Sequence, residues 1–161
     1  MKRAVPAVAL AIAFDIYWTL VVVFRERAVW LWLSLALLAY MLLKPRQRIY
    51  AMLLAIFGGL LDSLWAVSGL IQFNGDGLLP LWMMALWLMF ACVWVVLTAN
   101  SRLSIWVLAL MASLGGPLAY FIGERLGAMV FLAPSSLVLS GMAVGWGVLM
   151  LCFHSLIGRY G

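Results

Sequence analysis

The amino-acid sequence predicts an all-α integral membrane protein, a bundle of six transmembrane helices that forms one polytopic domain over residues 1–161. Hydrophobic residues make up 68% of the 161 residues and charged residues only 9%, whereas soluble domains are about 45–50% apolar and about 25% charged. The apolar residues occur in continuous runs of about 20 residues, the length that crosses a bilayer as a helix. Because apolar and polar residues do not alternate, an outer-membrane β-barrel is excluded.

Five apolar runs are long enough to cross the membrane, and a sixth run is short. The five long runs are residues 4–24, 49–71, 78–99, 105–122 and 137–157. The short run, residues 28–43, extends only about 24 Å at about 1.5 Å per residue. Its one weakly polar residue is Ser34, so we expect this run to cross as well. If it does not cross, five spans remain.

The basic residues lie in short gaps between the apolar runs, where they indicate topology and not a surface for nucleic acid. With six spans and an inner N-terminus, seven basic residues lie inside and three lie outside. The inner set is Lys2, Arg3, Lys44, Arg46, Arg48, Arg102 and Arg159, and the outer set is Arg25, Arg27 and Arg125. A five-span chain with an outer N-terminus gives the same count. Both models predict a cytoplasmic C-terminus and a cytoplasmic 44–48 loop.

Asp15 and Asp62 lie close to the centres of their predicted spans. An aspartate at this depth costs roughly 2.5–3.5 kcal/mol of insertion free energy, so we expect both side chains to face the interior of the bundle. The face that carries Asp62 also carries small residues, which let another helix approach closely. These residues are Ala55, Gly58, Gly59, Ala66 and Gly69. Each acid is interpreted either as a functional group or as a protonated carboxyl that only hydrogen-bonds to a neighbouring helix.

A third acid, Glu124, shares a helical row with Gly116 and Tyr120 near the outer end of the fifth predicted span. Pro117 lies in the same helix, and proline frees a backbone carbonyl and kinks a helix. A kinked, glycine-rich helix that ends in an acid is a candidate element of a binding site. The alternative is that Glu124 only marks the end of the span.

Small residues also form a second row on this helix. The row consists of Gly115, Ala119, Gly123 and Gly127, spaced by four. Such a row is typical of a close contact between helices, either within one chain or between chains of a homo- or hetero-oligomer.

No metal or cofactor is predicted. His154 has no second histidine or cysteine at the spacing of metal ligands, and no phosphate- or dinucleotide-binding motif is present. Cys92 and Cys152 lie inside apolar runs, where we interpret them as small buried side chains and not as a disulfide framework.

Three segments resemble an uncharacterised family of small bacterial inner-membrane proteins, the domain of unknown function 2878. The segments are GGLLDSLWAVSGLIQF (58–73), LPLWMMALWLMFA (79–91) and LGGPLAYFIGERLGA (114–128). The family pattern covers Asp62, Pro80, Trp82, Trp87, Gly116, Pro117, Tyr120 and Gly127, whereas an amide is more usual near Asp15. The resemblance implies a multi-pass protein of the bacterial inner membrane. It also points to lipid, because family members lie near genes for the modification of membrane fatty acids.

Three functions remain open from the sequence. The first is a membrane-embedded site that binds or modifies a lipid or another apolar substrate, with Asp62 as acid or base and with Glu124 and Tyr120 towards the outer face. The second is a small proton-coupled carrier in which Asp15, Asp62 and Glu124 form a relay. The third is a non-catalytic scaffold for other membrane enzymes. Whether the protein is an enzyme is left open by the sequence.

Overall fold

The computed structural model describes residues 4–99 and 101–157. Within these ranges the chain forms six α-helices, a short 3-10 turn and two three-residue strands. In chain order they are α1 (Ala4–Phe24), the turn (Arg25–Ala28), α2 (Val29–Leu42), α3 (Pro45–Val67), β1 (Ile71–Phe73), α4 (Leu81–Ala99), α5 (Ile105–Arg125), β2 (Met129–Phe131) and α6 (Ser135–Ile157). The all-helical class is confirmed, apart from the two strands, which the sequence did not predict.

Five helical stretches of the described chain are long and apolar enough to cross a membrane. They are the 37-residue stretch Pro6–Leu42, which joins α1 to α2, and one stretch in each of α3, α4, α5 and α6. On its own, α2 has only 14 residues, whereas a span needs about 20. The expected count of six spans is therefore not supported by length and composition.

Although α1 and α2 are consecutive, the chain reverses between them. Arg25 adopts a φ of 46°, which interrupts the helix. The Tyr17 hydroxyl donates a hydrogen bond to the Trp32 carbonyl at 2.8 Å, whereas a continuous helix would separate these residues by about 22 Å. The indole N–H of Trp32 donates to the carbonyl of Arg25 at 3.1 Å and closes the turn. The two helices therefore form a hairpin.

The second reversal, between α2 and α3, is tight. Pro45 begins α3, where the missing N–H of proline has no cost. The Arg48 side chain donates from Nε to the Leu43 carbonyl at 3.0 Å, and this bond satisfies a backbone group at the end of α2. Most of the predicted 44–48 loop is therefore the first turn of α3, because proline allows the helix to begin among the basic residues.

A small antiparallel ribbon joins the α3–α4 and α5–α6 connections at one end of the bundle. β1 pairs with β2 in the register Ile71↔Phe131, Gln72↔Val130 and Phe73↔Met129. The turn between α1 and α2 lies at the same end, because Nη1 of Arg25 donates to the Leu126 carbonyl at 3.3 Å. The predicted third span stops at Val67 and not at residue 71, because Gly69 turns the chain with a φ of 74° into the ribbon.

Helix α4 forms the centre of the bundle. It packs against α1, α2 and α3, while α5 and α6 pack mainly on each other. Trp82, Ala85, Ala91 and Val95 of α4 are fully buried. The other long helices keep one broad apolar face exposed, as expected for helices in contact with lipid.

Tryptophan rings fill positions where three glycines lack a side chain. A Cβ atom at Gly58 would overlap the indole of Trp87, one at Gly116 would overlap Trp146, and one at Gly145 would overlap Trp65. At these three glycines the missing side chain therefore makes room for a large aromatic ring of another helix, and not for the backbone of that helix.

The predicted close contact along the row Gly115, Ala119, Gly123 and Gly127 is wrong within the chain. A Cβ at Gly115 would meet nothing within 4 Å. Gly127 lies beyond the end of α5, in a turn with a φ of 75°. The adjacent residue Gly116 makes the close packing instead, because α6 meets α5 on that side. An interface between chains along this row stays a prediction.

Candidate functional site

Asp62 lies at the meeting point of three helices and is fully buried. Its Oδ2 accepts a hydrogen bond from the indole N–H of Trp87 at 2.7 Å, and its Oδ1 accepts one from the hydroxyl of Tyr120. Both carboxyl oxygens are thus used, which connects α3 to α4 and to α5. The expectation that Asp62 faces the interior of the bundle is confirmed, and Tyr120 is brought into direct contact with it.

A glycine one helical turn earlier makes room beside each of the two polar residues. Gly58 precedes Asp62 by four residues and receives the ring of Trp87, while Gly116 precedes Tyr120 by four and receives the ring of Trp146. Residues four apart share a helical face, so each ring lies next to the polar group. The rings of Trp87 and Trp146 stack with centroids 4.9 Å apart and an interplanar angle of 20°.

Next to this cluster is an apolar cavity of about 630 Å³ between α1, α4 and α5. Its volume lies within the roughly 300–1,000 Å³ of sites for small molecules. Aromatic side chains form much of its wall: Phe14, Trp18, Trp87, Phe90, Trp94, Tyr120 and Trp146. Such a wall favours an apolar occupant over a strongly hydrated one.

The cavity opens sideways between α1 and α5, which have little direct packing with each other. The residues at this opening are exposed, including Thr19 on α1 and Gly115 and Leu118 on α5. At one end the hydrogen bond from Arg25 to the Leu126 carbonyl joins the two helices. The cavity is therefore reached from the side of the bundle.

Asp62 itself does not border the cavity. Trp87 and Tyr120, which donate hydrogen bonds to its carboxyl, both line the wall in front of it. Asp62 is therefore placed to orient these two side chains and not to touch an occupant.

Asp15 lies on the cavity wall, but it is exposed. The expectation that its side chain faces the packed interior is wrong, because α5 does not close against this side of α1. Thr19 donates a hydrogen bond to the backbone carbonyl of Asp15 at 2.8 Å and not to the carboxyl. Within the described residues, the Asp15 carboxyl has no hydrogen-bond partner.

Glu124 does not join this cluster and lies at the end of α5, next to β2. Its Oε1 accepts a hydrogen bond from the backbone N–H of Phe131 at 3.2 Å, which holds β2 against the end of α5. It lines a smaller, more polar cavity of about 500 Å³ beside the ribbon, together with Gln72 and Asn74. The structure therefore joins Asp62 to Tyr120 and separates Glu124 from both.

In the described part of the chain, no three residues among His, Cys, Asp and Glu are grouped so that they could hold a metal ion. His154 accepts a hydrogen bond at Nε2 from the indole N–H of Trp94 at 3.2 Å. Both cysteines are free thiols, with Cys92 buried and Cys152 exposed, so the expected burial of Cys152 is wrong.

Sequence reasoning missed the participation of the tryptophans. The sequence does not indicate that Trp87 binds the Asp62 carboxyl. Nor does it indicate that Trp146 stacks on Trp87 and borders the cavity. The signal was the glycine four residues before Asp62 and before Tyr120, because each glycine leaves space for a ring beside a polar group.

Comparison with known proteins agrees with the resemblance found in the sequence. No curated protein and no solved structure matches the chain. Residues 7–152 match the model of a family described as "Protein of unknown function (DUF2878)". With most of its length covered, and with Asp62, Trp87 and Tyr120 all inside the match, the chain belongs to the DUF2878 family.

Proposed function

We propose that this protein binds a lipid or another apolar molecule in the cavity between α1, α4 and α5. The observation that carries the proposal is the cavity of about 630 Å³, lined largely by apolar and aromatic side chains and open sideways. Its opening lies between two helices of candidate spans, so that a molecule dissolved in the bilayer reaches the cavity without crossing water.

Asp62 is a positioning residue in this proposal. Its carboxyl holds the indole of Trp87 and the hydroxyl of Tyr120, and both side chains form the wall that an occupant contacts. Any proton transfer to a bound molecule would pass through Tyr120, because Asp62 is separated from the cavity by its two partners.

The carrier alternative is less well supported. A proton relay needs hydrogen-bonded groups that follow one another across the membrane. Within the described residues, the hydrogen bonds of Asp62 run only to Trp87 and Tyr120, and none connects it to Asp15 or Glu124.

A scaffold remains the second candidate. The exposed position of Gly115 and the open side of α5 would accept a helix of another chain along the row 115, 119, 123 and 127. Native mass spectrometry of the protein extracted in mild detergent tests this candidate. A stoichiometric homo- or hetero-oligomer that Gly115→Leu disrupts would favour the scaffold.

We further propose that α1 and α2 both cross the bacterial inner membrane, which gives six spans and a cytoplasmic C-terminus. The hairpin geometry supports this topology, because α2 leads from the turn at Arg25 back to the basic residues at 44–48. Snorkelling of Arg25, Arg27 and Lys44 would supply the length that α2 lacks. Lys2, Arg3 and Arg159, which contribute to the charge count, lie outside the described residues.

Reporter fusions test this topology. A reporter that is active only in the periplasm should be inactive at the N-terminus and after Gly161, and active when inserted at Gly77 near the ribbon. The N-terminal fusion separates the two models, because six spans place that end in the cytoplasm and five place it outside. Periplasmic activity after Gly161 would contradict both.

A larger side chain that fills the cavity tests the proposal that the cavity binds a lipid or another apolar molecule. Gly115 borders the cavity, and a Cβ there would meet nothing within 4 Å. Leucine is also a better helix former than glycine, by somewhat less than the roughly 0.8–1.0 kcal/mol that separates alanine from glycine. We therefore expect Gly115→Leu to accumulate normally and to fail to restore the lipid profile of a deletion strain.

Untargeted analysis of lipid extracts is the measurement for this prediction. The matched control is Ile16→Leu, a change on an exposed face of α1 that does not border the cavity, and it should restore the profile like the parent. A deletion strain whose lipids do not differ from those of the parent would argue against a lipid substrate.

A further inference from the structure

Among the described residues, the cavity wall has one carboxyl, at its opening, and no basic side chain. Asp15 lies on the wall near the middle of α1, exposed and without a partner for its carboxyl within the described residues. None of the described residues that line the cavity is lysine, arginine or histidine. Its charge pattern is therefore that of a site which rejects anions.

An aspartate at this depth is costly unless a polar group pairs with it. The described part of the chain supplies no such group, because Thr19 is bonded to the backbone carbonyl and not to the carboxyl of Asp15. A hydrogen-bond donor on a bound molecule would fill this role. A carboxylate or phosphate on that molecule would instead be repelled, with no cation on the wall to compensate.

We propose that the cavity takes an uncharged apolar molecule that carries a hydroxyl group, and that the Asp15 carboxyl accepts the hydrogen bond of this hydroxyl. The inference rests on the proposed binding function and names the chemical class of the ligand. A hydroxyl donates a hydrogen bond to the carboxyl and brings no charge into a wall that is otherwise largely apolar and aromatic, where the burial of an ammonium group would be costly.

Quenching of tryptophan fluorescence measures this preference directly, because four tryptophans line the cavity: Trp18, Trp87, Trp94 and Trp146. The probes are an alcohol, an alkane, an amine and a carboxylic acid of equal chain length, each brominated near the middle of its chain. They are titrated into the full-length protein in lipid nanodiscs. The Gly115→Leu variant measures quenching by probe that is only dissolved in the bilayer, and its signal is subtracted.

In the parent protein we expect the alcohol to bind about tenfold more tightly than the alkane, the difference that one hydrogen bond to the carboxyl produces. We expect the acid to bind more weakly than the alkane. Asp15→Leu should remove the advantage of the alcohol and leave the alkane unchanged. Asp15→Asn should keep most of the advantage, because an amide oxygen still accepts a hydrogen bond.

The outcomes separate this inference from the proposed function. If alcohol and alkane bind equally in the parent, or if Asp15→Leu weakens both to the same extent, the role of Asp15 is refuted while the cavity remains a binding site. If the amine binds more tightly than the alcohol, the site recognises a cation and the hydroxyl assignment is wrong. If Gly115→Leu changes no signal, the binding function itself is wrong.

Discussion

Gly116→Leu is expected to destabilise the folded protein by about 3 kcal/mol, whereas Gly115→Leu should be at least as stable as the parent. A Cβ at Gly116 would lie 2.5 Å from Cδ2 of Trp146, closer than side-chain carbons approach. Trp146 cannot retreat, because its ring stacks on Trp87 and packs edge-on against Phe90. Overpacking of this kind costs about 1–3 kcal/mol and occasionally more.

Unfolding of the purified variants by sodium dodecyl sulfate in mixed micelles, followed by circular dichroism, provides the measurement. Gly115→Leu serves as the control for Gly116→Leu, because both changes add the same side chain to the same helix. The opposite order of stabilities would contradict the packing described above. It would instead support the row 115, 119, 123 and 127 as the close contact, through an oligomer present in the micelle.

Asp62→Leu is expected to lower the free energy of unfolding by about 2 kcal/mol. The change keeps the branched shape of the side chain, with bulkier methyl groups in place of the oxygens, and removes the acceptor for Trp87 and for Tyr120, leaving two buried donors unpaired at about 1–3 kcal/mol each. Hydrogen bonds within membranes average only about 0.6 kcal/mol, so we expect the sum to lie near the lower end of this range.

A double-mutant cycle measures how much of this loss in unfolding free energy comes from the hydrogen bond between Tyr120 and Asp62. Tyr120→Phe removes the same hydrogen bond from the other side, so the double variant with Asp62→Leu should be less destabilised than the sum of the two single changes. Additive losses would show that the two side chains do not interact in the folded protein.

Asp62→Asn tests whether Asp62 orients Trp87 and Tyr120 for function or only stabilises the folded protein. The amide offers one oxygen and one NH2 group where the carboxyl offers two oxygens, so the Trp87 indole keeps the oxygen and the Tyr120 hydroxyl must turn round to accept from the NH2 group. We expect this variant to fold and insert, and to fail to restore the lipid profile of a deletion strain, because the Tyr120 proton then points elsewhere. Full restoration would mean that the direction of the Tyr120 hydrogen bond does not matter, and would favour the scaffold over the binding function.

The sequence by itself determined the class of protein and the location of its helices. Hydropathy is a local property, so the apolar runs located α1, α4, α5 and α6 to within three residues at each end. The interior position of Asp62 was also predictable, because the small residues on its face belong to successive turns of one helix. The ribbon escaped prediction because it depends on two distant segments meeting at one end of the bundle.

Only the tertiary structure decided which faces of the helices meet. Helices in lipid are apolar on all sides, so their periodicity does not distinguish a packed face from one that contacts the bilayer. For this reason the sequence could not tell Gly116, which receives Trp146, from Gly115, which borders open space. It could not separate buried Asp62 from exposed Asp15 either. The partners of Asp62 lie 25 and 58 residues away along the chain, and only the packing of α3, α4 and α5 brings them to its carboxyl.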